Sequence, residues 1–147
     1  MDFKRVLSLC LISFSMLGVM SRDAGLAQGP WSEGWYQGAN GYDQALEEHK
    51  RTNQPMVVYM SVGWCPYCRK FEKEVLSSPS VQEVLKDKIK VNIDPESGNR
   101  ENALAFQYGI RGFPSFFLHP PQPGRVVQLH TGVSPEKFIG FFEQVLQ

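Results

Sequence analysis

The chain has 147 residues, and its 15 basic and 15 acidic side chains cancel to a formal charge of zero. That balance, with no long run of one sign, indicates neither nucleic acid nor an anionic membrane as a partner. The length suits one domain with one core once the N-terminus is set aside.

Lys4 and Arg5 precede an apolar stretch from Val6 to Met20, and Gly25-Leu26-Ala27 follows as a small-x-small cleavage site. Residues 1–27 are therefore predicted to be a secretory signal peptide. The apolar stretch, interrupted by Ser8, Ser13, Ser15 and Gly18, is shorter than the roughly 20 residues a bilayer-spanning helix needs. An uncleaved signal that tethers the chain to the inner membrane is the alternative. Cys10 follows Leu9 rather than the small residue expected before a lipidated cysteine.

Residues 28–41 are rich in glycine, with Trp31, Trp35 and Tyr36 interspersed, and read as an irregular leader whose aromatics pack onto the domain surface. Residues 42–147 are expected to form the domain. Tyr42 to Arg51 has a helical pattern that Asn53-Gln54-Pro55 breaks. Met56 to Met60 is a short continuous apolar run, as in a strand buried on both faces. Arg69 to Leu76 reads as a helix with Cys68, Phe71 and Val75 on one side, and Ser80 to Lys86 as a further helical turn or two. Ile89 to Ile93 alternates as a strand, and Arg100 to Tyr108 is helical. Ser115 to Leu118 and Val126 to Leu129 make a hairpin across the turn from Pro120 to Gly124. Ser134 caps a last helix with Pro135 at its first position and Phe138, Phe142 and Val145 as its buried stripe. The order predicts an α/β fold, a mixed central sheet with helices on both faces.

Once the signal is removed, Cys10 goes with it and only Cys65 and Cys68 remain. Two thiols three residues apart, between a strand and a helix, can open and close a disulfide, supply half of a metal site, or act as a structural staple. A thiol at a helix N-terminus is acidified by the partial positive charge there. A staple closing so short a loop contributes less than one closing a long loop.

Trp64-Cys65-Pro66-Tyr67-Cys68 after a buried strand, followed about 45 residues later by Gly109-Ile110-Arg111-Gly112-Phe113-Pro114, resembles thioredoxin. The similarity runs from about Tyr42 to Leu146, and Met56 to Val75 is similar to exported thioredoxin-like proteins, including the C-terminal domain of bacterial membrane thiol-reductant transporters. The resemblance implies a thioredoxin fold and a thiol–disulfide oxidoreductase. It makes Cys65 the exposed nucleophile, Cys68 the more buried resolving thiol, and Pro114 a cis-proline facing them. Trp64, Pro66, Tyr67, Phe113 and Pro114 become the substrate-binding residues, with the Phe113 backbone pairing with an extended substrate segment. The alternative for Trp64 is an ordinary core aromatic.

Two departures stand out. Thioredoxin keeps a buried acid six positions before its first cysteine, where this chain has Tyr59; proton transfer from Cys68 would then need a water, Glu72 or another group. Pro66-Tyr67 between the cysteines is the pair of glutaredoxins, but the rest of the chain is unlike them, and glutathione binding is not carried over. The resulting expectation is an exported, monomeric, bacterial periplasmic enzyme without cofactor or metal. It would act on protein disulfides or thiols, with a membrane thiol-reductant transporter or another redox partner, and reductant is favoured over oxidant. A copper chaperone of the same fold is the alternative from another class, and a non-catalytic binding module a second. Against a zinc site, His119 and His130 are eleven apart and His49 is remote in sequence.

Overall fold

In the computed structural model, which describes residues 30–122 and 124–147, five strands form one sheet. They are β1 (Tyr36–Gln37), β2 (Met56–Met60), β3 (Ile89–Ile93), β4 (Ser115–His119) and β5 (Val127–Leu129), in the spatial order β1-β3-β2-β4-β5. β3 runs parallel to β1 and β2, while β4 is antiparallel to both β2 and β5. The helices are α1 (Gly38–Thr52), α2 (Pro66–Phe71), α3 (Pro79–Leu85), α4 (Asn99–Gln107) and α5 (Pro135–Leu146). This is the expected mixed α/β architecture. The predicted signal peptide lies outside the described residues.

β2 is buried along its whole length, and its alternate side chains feed two cores. Val57 and Tyr59 join Phe71, Val75, Phe116, Phe138 and Phe142 on the face covered by α2, α3 and α5. Met56, Val58 and Met60 join Tyr42, Ala45, Ile89, Val91, Ile93 and Phe117 on the face covered by α1 and α4. A strand that is apolar at every position is what a sheet covered on both sides requires.

The leader departs from expectation. Trp31 and Trp35 are 6% exposed and belong to the first core, with the Trp31 ring edge-on to Trp35 and to Tyr59 at centroid distances of 5.3 and 5.4 Å. Tyr36–Gln37 adds an edge strand to β3, and α1 begins at Gly38, four residues before the predicted start. No side chain of the preceding residue caps that helix; instead Glu101 on α4 accepts from the Ala39 backbone N–H at 2.8 Å. A cap that reaches in from 62 residues away leaves no local signature. Asn92, read as the polar side of an alternating strand, is buried because β1 covers that edge, and its Nδ2 lies 3.4 Å from Gln37 Oε1.

β2 and β4 pair with Met60 opposite Ser115 and Met56 opposite His119. The first end places the loop leaving β2 beside the residues just before β4. The other end holds His119, which is 8% exposed, with Nε2 2.6 Å from the Tyr108 hydroxyl. Tyr108 in turn donates to the Tyr42 hydroxyl at 3.1 Å, and His49 sits edge-on to His119 at 5.8 Å. Burial, helped by His49, lowers the His119 pKa from its ordinary 6.5 to about 4. Between those two values the unfolded chain takes up a proton that the folded chain refuses, so stability falls as pH drops through that window. Urea unfolding should therefore show a loss of about 2 kcal/mol between pH 7 and 4.5 from this group. A His119→Gln variant should lack that component; an unchanged pH dependence in the variant would contradict the assignment.

Candidate functional site

Cys65 is the N-cap of α2, in extended conformation, with Pro66 opening the helix. Proline suits that first position because its missing N–H would have no partner there. The helix thus begins at Pro66 rather than at Arg69, then passes into a single wider turn at Glu72–Leu76. Cys65 and Cys68 are joined as a disulfide with their Cα atoms 5.3 Å apart. The backbone N–H of Cys68 donates to Cys65 Sγ at 3.1 Å.

The expected contrast in exposure between the two cysteines is small in this oxidised state. Cys65 is 3% exposed and Cys68 1%, because the Cys65 sulfur turns toward its partner and the pair packs with Val62 and Phe113. Pro66 is exposed at the helix start.

The Phe113–Pro114 peptide is cis and lies just before β4, outside the ladder that starts at Ser115. Ser115 Oγ donates to the Gly112 carbonyl at 2.8 Å and Thr131 Oγ1 to the Pro114 carbonyl at 3.3 Å, which hold this turn in place. Trp64 is 64% exposed and Tyr67 73%, so neither is a core aromatic. The Trp64 indole N–H reaches both carboxylate oxygens of Glu96 at 3.1 and 3.0 Å, and its ring stands edge-on to Phe113 at 6.5 Å. The structure therefore brings Trp64, Cys65, Cys68, Phe113 and Pro114 to one end of the sheet.

A carboxylate reaches the position without its acid. The Tyr59 hydroxyl, inside the first core, donates to Glu72 Oε1 at 2.9 Å. Glu72 lies four residues beyond Cys68, and its backbone N–H bonds the Cys68 carbonyl, so the two side chains share a helix face. Burial raises the Glu72 pKa above its ordinary 4.5, while the Tyr59 hydrogen bond and Arg69 pull the other way. Burial and the neighbouring Glu72 charge push the Tyr59 phenol far up, so it stays a donor. Arg69 itself turns to the Gly63 carbonyl.

Among the described residues, no three His, Cys, Asp or Glu side chains gather as metal ligands. His49, remote in sequence, does meet His119, but at the end of the sheet away from the cysteines. No helix among the described residues is long and apolar enough to cross a membrane.

Residues 35–121 match the family model described as thioredoxin-like. The chain belongs to the thioredoxin-like family. Over 103 residues, 69% of this chain, it is 30% identical to the thiol:disulfide interchange protein DsbD of Neisseria meningitidis, covering 17% of that protein. Over 77 residues it is 34% identical to DsbD of Klebsiella pneumoniae, covering 52% of this chain and 12% of the relative. The matched stretch is thus less than a fifth of the length of these curated relatives. Among solved structures, a thioredoxin from Thermus thermophilus superposes with a TM-score of 0.63 at 26% identity, covering 76% of this chain and 85% of that one. The reduced C-terminal domain of Neisseria meningitidis DsbD superposes with a TM-score of 0.60 at 24% identity, covering 72% and 93%, and shows the shared fold. The thioredoxin-like chain and its joined CxxC pair define the class of chemistry as thiol–disulfide oxidoreduction.

Proposed function

We propose that this chain is an exported thiol–disulfide oxidoreductase that reduces disulfides of polypeptides in a bacterial periplasm. The observation that carries the reading is the Cys65–Cys68 disulfide at the start of α2, packed against Phe113, the residue before the cis Pro114. The reduced pair supplies two electrons. The Cys65 thiolate attacks a substrate disulfide, forming one mixed disulfide and releasing one substrate thiolate, which takes up a proton. Cys68 then loses its proton and attacks Cys65 Sγ, closing the internal disulfide and releasing the second substrate thiol. Phe113 and Pro114 hold the substrate backbone, and Trp64, Pro66 and Tyr67 border it. A dithiol donor, in the cell a membrane thiol-reductant transporter, restores the reduced pair. Export through residues 1–27 and the periplasmic setting draw support from the N-terminal pattern and from the likeness to DsbD.

The reductive direction has a physical basis. A strongly stabilised Cys65 thiolate favours the reduced protein and makes an oxidant. Here Cys65 Sγ receives one backbone N–H, and among the described residues no cationic side chain bonds it. Titration against glutathione should therefore place the pair nearer the reductive end of the family range, about −270 mV, than the oxidising end, about −120 mV. The protein should also accelerate insulin reduction by dithiothreitol. A potential at the oxidising end would reverse the direction, and an inert pair would refute the function.

Glu72 is the proton acceptor for Cys68 in this scheme. Glu72→Gln should slow release of the mixed disulfide and erase the part of its pH profile set by a carboxyl group. Tyr59→Phe removes a bond that stabilises the carboxylate, so it should move that same limb to higher pH. If neither profile differs from wild type, Glu72 takes no part in the proton transfer.

A further inference from the structure

A groove of about 820 Å³ opens beside the disulfide. One bank is α2 and the turn after it, which set Tyr67, Lys70 and Glu74 along the groove. The other is the segment 131–135 with Lys137 in the first turn of α5, and Phe113 and Pro114 close the end next to the cysteines. Phe71 and Val75, each 3% exposed, underlie its floor. The volume lies in the range of about 300–1,000 Å³ typical of sites that enclose a small ligand.

The charges on the banks are unmatched. The ion pairs among the described residues are Lys86–Glu83 and Arg100–Asp43, both away from the groove. Lys70 and Lys137 thus face the groove from opposite banks without an ion-pair partner, and Glu74 is the one acid lining it. The groove carries a net positive charge next to the point where a mixed disulfide forms.

We propose, building on the oxidoreductase reading, that Lys70 and Lys137 make this groove select an acidic polypeptide segment beside the substrate's reacting cysteine. An apolar side chain of that segment lies toward Phe71 and Val75, and an acidic side chain lies between Lys70 and Lys137. Lys70 and Lys137 are specificity-determining residues, acting on substrate affinity rather than on sulfur chemistry.

The test uses two peptides joined through a disulfide to the same leaving thiol. They are identical except that glutamates beside the cysteine in one are lysines in the other. Bis(2-hydroxyethyl) disulfide serves as a neutral small probe. The wild-type protein should show kcat/KM about tenfold higher for the acidic peptide at low salt, mostly through KM, and the advantage should shrink as salt screens it. In the Lys70→Glu, Lys137→Glu double variant the ratio between the two peptides should invert, a readout independent of the variant's absolute rate. Equal rates with both peptides in wild type, or an unaltered ratio in the double variant, overturn the proposal. Wild-type protein that turns over the neutral probe but shows no charge preference loses only this inference; protein that turns over none of the three loses the oxidoreductase reading as well.

Discussion

A Cys65→Ser variant is expected to reduce insulin disulfides no faster than dithiothreitol alone, whereas Cys68→Ser is expected to accumulate covalent complexes. The asymmetry follows from position on the helix. Cys65 caps α2, and its sulfur receives the Cys68 backbone N–H, an interaction that a thiolate at this place retains. Cys68 sits inside the first turn of the helix rather than at its cap, and in the proposed mechanism it is the resolving thiol. Removing Cys65 therefore removes the attacking atom, while removing Cys68 leaves the attack intact and deletes the group that resolves it. Non-reducing electrophoresis and intact mass should show the trapped adduct in Cys68→Ser and its absence in the double variant. Full activity in Cys65→Ser, or trapping through Cys68 alone, would reverse the assignment of roles.

Trp31→Ala is expected to cost about 3–5 kcal/mol, the usual range for truncating a buried tryptophan. Its ring packs against Trp35 and Tyr59, and its carbonyl accepts from Gln82 Nε2 on α3 at 3.3 Å. The segment before Tyr42 is therefore part of the core, and a chain beginning at Tyr42 should lose cooperative unfolding altogether. It would forfeit both tryptophans, the edge strand and the first turn of α1. Urea unfolding followed by circular dichroism measures both effects. A loss under about 1 kcal/mol for Trp31→Ala would mean that the site collapses without a cavity. The same contact carries a functional corollary, since the Tyr59 ring under Trp31 also positions the hydroxyl bound to Glu72.

Strong patterns were legible in the sequence, and contacts between distant elements were not. Met56–Met60 and Ile89–Ile93 emerge at their predicted limits, because uninterrupted or alternating β-branched runs carry their own signal. Ser134 accepts from the Lys137 N–H, and Pro135 opens α5, as its local chemistry implies. The start of α1 was hidden, since Gly38, Ala39, Asn40 and Gly41 are weak markers and the cap comes from Glu101. A two-residue strand is too short to show alternation, so β1 was read as leader. Pro66 was a readable start signal for α2 that the Arg69 boundary overlooked. At the site, the cysteine pair stands out in the sequence itself, whereas the Gly-Phe-Pro turn is marked only by the resemblance to thioredoxin. The Tyr59–Glu72 bond depends on β2 facing α2, and the His49–His119 contact joins α1 to the far end of β4; neither follows from sequence distance.

The sheet has blunt margins. Its outer strands are two and three residues long, whereas the three central ones are five each. A molecule whose proposed clients are disulfide-bonded polypeptides can meet chains with unpaired strands of their own. An edge this short offers few free backbone groups on which such a chain could extend the sheet. Clients are thereby expected to meet the molecule at its cysteine end, through the exchanging disulfide and the groove beside it, rather than along a sheet edge.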